Sequence, residues 1–449
     1  MTLGHVLPRK CAAHQLSRVA PMIRTVSLLC CVTVLGFTAA CGKKTEAPRT
    51  NTFLDVAPPE KISDLTLPGL ARSAGGELFL TLFIHSGFPS ATDAHDAVAV
   101  LKSADNGATW PEAGKIPSHV TYGVWGFDSA IGENDALYMT WTASLRKEDS
   151  PAPFKAVMFS RSNDGGRTWT APVPVSSATT GQRRQPSIAL SGDGVHIAWL
   201  DESRRGAAGP HPPADVYVAT SPDGGVTWGE NVCLETDLNN KVSSSGAPSL
   251  CVGEDGAVYC AYFSLRRGTN GGFWIANSTD GGRTFTVTPH TKDALGSVCL
   301  TESDGMLFLA AVHIKSIRSI SMQNPQTCQE IRFHASDDGG KTWTKAVLVD
   351  DDPDDRHKSN VKLAAIGGNR LIACWHDERG GVYMVASLDG GKTWGKNLRV
   401  ANASRVGITP IAVAADKAAG TFYLTISDVR KGGGDATFFM KGSVNENAP

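Results

Sequence analysis

The sequence predicts an all-β fold, a β-propeller of four-stranded blades, from two observations. A short box with the pattern S-x-D-x-G-x-T-(W/F) occurs six times, and the text between boxes repeats as short alternating apolar runs joined by turns. The box aspartates are Asp105, Asp164, Asp223, Asp280, Asp338 and Asp389. They recur every 51 to 59 residues. A period of this size indicates one supersecondary unit used repeatedly around a ring.

The box itself is predicted to be a structural turn. Asp accepts hydrogen bonds from nearby backbone N–H groups, and the glycine that every copy contains suits a positive φ. Ser and Thr hydroxyls close the loop on itself, while Trp or Phe supplies an apolar anchor. A catalytic or phosphate-binding loop would be needed once, so six copies favour architecture. The alternative, a calcium loop, would need more carboxylates per copy.

Each repeat unit reads as four antiparallel strands, A to D, with the box at the C–D turn. The predicted A strands begin near Pro68, Gly126, Pro186, Pro248, Ser297, Val361 and Pro410. Seven blades are therefore favoured, with six as the alternative. The last unit has no box and no D strand, whereas Asn51–Ala57 is a spare strand at the other end. We expect this strand to complete the last blade, so that residues 51–449 form one closed propeller.

The N-terminus has the layout of an export signal. A basic residue, Arg24, precedes an apolar run, Val26–Ala40, that ends in small residues before Cys41. Residues 1–40 are predicted to be a signal peptide, with Met22 as an alternative start, and 41–50 a polar tether. "TAAC" resembles the lipobox of bacterial lipoproteins, which implies lipidation of Cys41 and a place in the cell envelope, facing the periplasm or the cell surface. A plain signal peptide without lipid is the alternative.

The net charge and the cysteine spacing limit which other kinds of partner are expected. A formal net charge of −1 favours neither nucleic acid nor a membrane surface, so the membrane is expected only through the lipid anchor. Six cysteines follow the leader without metal-ligand spacing, and no metal site or disulfide is predicted from them. These cysteines are Cys233, Cys251, Cys260, Cys299, Cys328 and Cys374. The chain is expected to be monomeric.

The six boxes resemble the Asp boxes, or BNR repeats, of the sialidase superfamily, over roughly residues 66–445. In that family the boxes lie opposite the active face, and catalysis uses a Tyr nucleophile with a Glu partner, an Asp acid/base and three Arg. Most of this set is missing here. The first inner strand has Thr66-Leu67-Pro68 where the resemblance implies Arg, and the last has no Tyr. Asp93 and Tyr122 are the catalytic candidates that remain.

Arginines instead recur in the loops that leave the face opposite the boxes. They follow strand B at Arg146, Arg204, Arg205, Arg266, Arg267, Arg379 and Arg430, and strand D at Arg183, Arg184, Arg356 and Arg405. Guanidinium groups that converge on one mouth would bind an anion, because their planar forks match carboxylates. The candidate ligand-binding residues are Arg184, Asp201, Arg204, Arg267, His376, Arg379 and Arg430. The alternative is that each Asp-x-Arg closes its own loop through an ion pair.

One further loop is a candidate cation site. Asp350–Asp355 contains five aspartates, which could hold Ca²⁺ or could simply be solvated. No cofactor is otherwise predicted. The sequence therefore favours an exported, sialidase-like propeller that binds an acidic carbohydrate or another small anionic ligand. The alternatives are a divergent exo-sialidase or related glycoside hydrolase, and a non-catalytic interaction scaffold of the envelope.

Overall fold

The computed structural model describes residues 53–445, except 64–65, 85–96, 117–121, 133–134, 146–153, 178–179, 204–213, 236–246, 265–270, 292–293, 320–325, 403–410 and 429–435. These described residues form strands β1 to β29 in seven antiparallel sheets. Seven blades around a ring confirm the predicted fold class, and the alternative of six is wrong. No helix in the described ranges is long and apolar enough to cross a bilayer.

Blades 1 to 6 each run from strand A, the innermost, to strand D in chain order. Blade 1 contains β3 (Thr66–Arg72), β4 (Leu78–Ile84), β5 (Ala97–Ser103) and β6 (Glu112–Ile116). Blade 2 contains β7 (Tyr122–Ile131), β8 (Leu137–Leu145), β9 (Phe154–Ser162) and β10 (Val173–Pro174). Blade 3 contains β11 (Arg183–Ser191), β12 (Gly194–Asp201), β13 (Asp215–Ser221) and β14 (Val232–Cys233).

The next three blades repeat this order. Blade 4 contains β15 (Ser249–Val252), β16 (Val258–Ser264), β17 (Gly272–Ser278) and β18 (Thr286–Pro289). Blade 5 contains β19 (Ala294–Ser303), β20 (Met306–Ser319), β21 (Gln326–Ser336) and β22 (Val347–Leu348). Blade 6 contains β23 (Lys358–Ala365), β24 (Leu371–Asp377), β25 (Gly381–Ser387) and β26 (Leu398–Asn402).

Blade 7 joins the two ends of the propeller. Its first three strands are β27 (Ile411–Asp416), β28 (Thr421–Asp428) and β29 (Ala436–Val444), and its outer edge is filled by β1 (Leu54–Val56) and β2 (Glu60–Ser63). Leu54 lies opposite Val444 in this pairing. The early strand therefore takes the place of the missing D strand and covers the open edge of β29.

Apolar cores lie between neighbouring blades rather than within one centre. Phe333 and Trp375 share the core between blades 5 and 6, and Leu78 and Tyr423 share the one between blades 1 and 7. These side chains are almost completely buried. Each sheet thus buries both faces against its two neighbours, and the ring is complete when blade 7 packs against blade 1.

The six boxes are closed hydrogen-bonded turns, as predicted. In every copy the Ser Oγ accepts from the N–H of the glycine two residues before the Thr (the second glycine of the box in five copies, Gly107 in the first) at 2.7–2.9 Å, and the Thr Oγ1 donates to Asp Oδ2 at 2.6 Å. These bonds hold the carboxylate in its charged form. Hydrogen bonds from Thr109 and Ser103 lower the pKa of Asp105 to about 2, and Asp164, Asp223 and Asp338 behave in the same way.

The boxes also fasten each blade to the one before it. The second glycine has φ near 90° in several copies, and its backbone lies against a C-strand side chain of the preceding blade. A Cβ on Gly225 would lie 2.0 Å from the Phe159 ring, and one on Gly391 equally close to Phe333. The box residue Trp228 completes the contact by packing edge-on against Phe159. Because the boxes join strands C and D, they lie on the outer part of the ring.

Candidate functional site on the loop face

The loop face, opposite the boxes, carries a Trp-x-Asp motif at the end of strand B in blades 3 and 6. Trp199 Nε1 donates to Asp201 Oδ2 at 3.1 Å, and Trp375 Nε1 donates to Asp377 Oδ2 at 2.9 Å. Each carboxylate also accepts the backbone N–H two residues later, which closes the turn. Asp201 was predicted to bind ligand, but it is 3% exposed and its oxygens serve the turn.

In blade 6 the motif binds its own arginine. Arg379 donates to both oxygens of Asp377, at 3.0 and 2.8 Å, and Nη1 reaches Asp351 at 3.2 Å. Its guanidinium also lies 3.9 Å from the centre of the Tyr383 ring. Burial lowers the pKa of Arg379, but the hydrogen bonds to Asp377 and its negative charge raise it by more. The net effect is a raised pKa. Arg379 is therefore occupied inside the protein, in the ion pair that the sequence left as its alternative.

In blade 3 the partner of the motif is a different arginine. Arg183, at the start of β11, is fully buried and donates through Nε to Asp201 Oδ2 at 3.0 Å and through Nη1 to the Lys155 carbonyl at 2.9 Å. Burial of a whole guanidinium requires such a paired carboxylate. The next residue, Arg184, is consequently left outside the motif.

Arg184 is held at one edge only. Its Nε donates to Glu202 Oε1 at 3.0 Å, and its side chain is 35% exposed. Within the described ranges its two terminal nitrogens have no hydrogen-bond partner in the protein. A bulge in β11 between Arg184 and Ser187 contains Gln185 at φ 55° and lies at the inner end of the blade. Arg184 therefore stands at the inner edge of the loop face with donors available.

Lys155 adds a second positive charge beside Arg184. Burial lowers the pKa of Lys155, the charge of Glu202 opposes this, and the charge of Arg184 lowers the pKa further. The backbone carbonyl of Lys155 accepts from Arg183 Nη1, which places Lys155 next to this pair of arginines. With Asp215, which is fully buried and lies opposite Asp201 in the β12–β13 pairing, three cations (Lys155, Arg183 and Arg184) and three carboxylates (Asp201, Asp215 and Glu202) lie at this junction.

Each aspartate of the acidic loop Asp350–Asp355 pairs with a lysine or arginine of the protein. Lys358 Nζ is fully buried and lies 3.5 Å from Asp350 Oδ1 and 3.2 Å from Asp352 Oδ2. Lys315 pairs with Asp355 at 3.0 Å, and Arg356 pairs with Asp352 and Asp354. A lysine ammonium thus sits where a cation bound by these carboxylates would sit. No group of metal-ligating side chains occurs in the described residues; calcium at this loop stays a prediction.

The remaining predicted site residues divide into two groups. His376, predicted at the mouth, is fully buried near the loop-face end of β24, where it lies opposite Ser359 of β23. Tyr122 begins β7, where only the backbone is described. Four further candidates and the lipidation site lie outside the described residues: Asp93, Arg204, Arg267, Arg430 and Cys41.

Known proteins can now be compared with this geometry. The family profile of the BNR repeat-like domain matches residues 136–355. The fold is a seven-bladed β-propeller, and its residues 136–355 match the BNR repeat-like domain. The profile match and the seven-bladed strand pairing together carry this assignment. No curated protein sequence matches the chain.

Three solved structures illustrate the likeness. A Hadza microbial sialidase, Hz136, is 15% identical over 83% of this chain and 74% of its own, with a TM-score of 0.49. Trypanosoma rangeli sialidase is 15% identical over 74% of this chain and 56% of its own, at 0.47. A protein of unknown function from Dyadobacter fermentans DSM 18053 is 13% identical over 89% and 99%, at 0.49. Likeness at this level says nothing about activity.

Two features of the site were not found from the sequence. Arg183 was grouped with the loop arginines, although it is the buried partner of Asp201. The Trp-x-Asp motif was also overlooked, although "AWLDES" and "CWHDER" display it plainly at equivalent positions of blades 3 and 6. The signal was a Trp two residues before an Asp at the end of an apolar strand.

Proposed function

We propose that the loop face binds a small anionic ligand, an acidic carbohydrate, at the junction of blades 2 and 3. The single observation that supports this most is Arg184, which is anchored through Nε while its terminal nitrogens have no partner among the described residues. A guanidinium fixed in this manner presents a planar fork to a carboxylate or sulfate with little further loss of side-chain freedom.

The charge around Arg184 supports an anion. The charge of Arg184 contributes to the lowered pKa of Lys155, and a bound anion would offset that contribution. The junction of blades 5 and 6 is more negative, since its ion pairs join four cations with six carboxylates. We therefore propose Arg184, rather than Arg379, as the residue that holds the ligand.

A glycan array tests this function directly. The mature protein is expected to bind sialylated, uronate-containing or sulfated glycans and to ignore their neutral counterparts. Absence of binding to every acidic glycan would leave the scaffold role instead. A fluorogenic sialoside measured on the same preparation tests for hydrolysis. Turnover that is lost in Arg184→Ala would assign the protein to the exo-sialidase alternative.

The proposal includes export and a lipid anchor at Cys41. It rests on the basic start, the short apolar run and the "TAAC" sequence ahead of the tether. In a bacterial host the wild-type protein is expected in the membrane fraction, and Cys41→Ser in the soluble periplasmic fraction. Membrane association that is unchanged in Cys41→Ser would refute the anchor.

A further inference from the structure

The seam between blades 3 and 4, on the box face, differs from the others. In three seams the second glycine of the box packs against a phenylalanine ring of the preceding blade, namely Phe439, Phe159 or Phe333. In blade 4 the corresponding Gly282 packs against two polar side chains of blade 3. A Cβ there would lie 2.3 Å from Thr220 Oγ1 and 3.0 Å from His196 Nδ1.

These polar side chains form a hydrogen-bonded chain with a serine. Ser191 Oγ and His196 Nε2 are 2.8 Å apart, and His196 Nδ1 and Thr220 Oγ1 are 2.9 Å apart. His196 is 1% exposed, whereas Ser191 is half-buried at the A–B turn. With the proton on Nδ1 donated to Thr220, Nε2 is free to accept the hydroxyl proton of Ser191.

The environment keeps the imidazole neutral. Burial lowers the pKa of His196 to about 4, so the ring is unprotonated at neutral pH and Nε2 can accept a hydrogen bond, while the same burial disfavours the imidazolium that a proton from Ser191 would form. An activated serine needs a base within hydrogen-bond distance of its hydroxyl and a third group that orients the base. Here these groups are His196 and Thr220.

The serine faces a cavity of about 620 Å³ between the two blades. Its wall includes Ser191, His196, Thr220, Glu230 and Arg283. Gly194 leaves space beside the hydroxyl, because a Cβ at this position would lie 2.5 Å from Ser191 Oγ. A cavity of this volume accommodates a small molecule.

We propose that Ser191 is a nucleophile toward small acyl esters, with His196 as its general base and Thr220 as the residue that positions the imidazole. Ser191 Oγ forms a bond to the acyl carbon while its proton passes to His196 Nε2. The ester C–O bond then breaks, and the alcohol leaves with that proton. Water, deprotonated by the same imidazole, attacks the acyl-serine and restores the hydroxyl as the acid departs.

This activity is independent of the proposed anion binding at Arg184, which lies on the opposite face. A fluorophosphonate–biotin probe tests it, since attack by Ser191 forms an O–P bond and releases fluoride together with the proton. Peptide mapping is expected to place the label on Ser191. Labelling should disappear in Ser191→Ala and fall about 100-fold in rate in His196→Gln, as the loss of a general base requires.

Ser303→Ala is the matched control. Ser303 ends strand A of blade 5 as Ser191 ends that of blade 3, but it donates to Asp304 at 2.7 Å and has no histidine partner there. Its labelling and its p-nitrophenyl acetate hydrolysis should equal those of wild type, while Ser191→Ala loses the hydrolysis. An unlabelled wild type, or equal labelling of Ser191→Ala with its melting temperature unchanged, would overturn the proposal.

Discussion

Blades 3 and 6 carry the same Trp-x-Asp turn, yet the aspartate of the turn pairs with a different arginine in each blade. In blade 6 the turn's own Arg379 satisfies Asp377 and is also held by Asp351 and Tyr383. In blade 3 the carboxylate of Asp201 is paired with Arg183 at the start of β11, and Arg184 is bound among the described residues only through Nε, to Glu202. The comparison teaches that the number of arginines at a mouth does not define a binding site. What matters is which guanidinium groups the protein has already paired.

The largest expected effect separates Arg183 from its neighbour. Arg183→Met should lower the free energy of unfolding by about 3–5 kcal/mol, because it leaves the buried carboxylate of Asp201 without its cation. Arg184→Met, at the exposed pair with Glu202, should cost about 1 kcal/mol or less. Urea unfolding of both variants checks this. Equal losses would mean that the two arginines have the same role and would break the comparison.

A somewhat smaller loss is expected in blade 6. Arg379→Met removes two bonds to Asp377, one to Asp351 and a cation–π contact, and should destabilise the protein by about 2–4 kcal/mol. Binding of an acidic glycan should be unchanged at a temperature where the variant is folded. A stable variant that loses binding would show that Arg379 contacts the ligand.

Blades 4 and 5 meet at a cluster of buried histidines, which differs from the salt-bridged turns of blades 3 and 6 in how its stability depends on acid pH. In this seam the ring centroids of His290 and His334 are 4.6 Å apart, and those of His313 and His334 are 6.3 Å apart. The Nε2 atoms of all three are buried without a hydrogen-bond partner in the described ranges. Burial lowers the pKa of His290 and of His313 to about 3, and that of His334 is lowered as well.

The sign of the pH effect follows from these directions. Between the unfolded pKa near 6.5 and the lowered folded pKa, only the unfolded chain binds the protons, so stability is complete above about pH 6.5 and falls as pH decreases toward 3. Each histidine contributes about 1.4 kcal/mol per pH unit in that window. His313→Phe should therefore reduce the slope of unfolding free energy against pH by this amount, measured by denaturant unfolding at pH 7.5 and pH 5. An unchanged slope would contradict the assignment.

Much of the fold could be predicted because its determinants are local. Ser, Asp, Gly and Thr of each box satisfy one another within a few residues, as Asp164 and Thr168 do at 2.6 Å. The blade count likewise follows from the repeat. The availability of an arginine is not local. Arg183 finds Asp201 across a hairpin, and Arg379 finds Asp351 at the end of another blade, so neither pairing could be read from spacing alone.

The same limit explains the serine on the box face. Ser191 and His196 lie across one turn, but the position of Thr220 and the cavity depend on strand C and on the box of the next blade. The sequence "LSGDGVHIAW" predicted the hairpin correctly and gave no indication of the cavity.

Titration of sialyl-lactose, with lactose as the neutral control, into wild type, Arg184→Gln and Arg379→Gln tests the central claim most directly. Arg184→Gln should weaken the binding of sialyl-lactose at least about tenfold, since it removes a charged donor from the carboxylate. Arg379→Gln should bind as wild type does. Equal affinity in Arg184→Gln and wild type would contradict the claim that Arg184, which is anchored through Nε to Glu202, holds the anion.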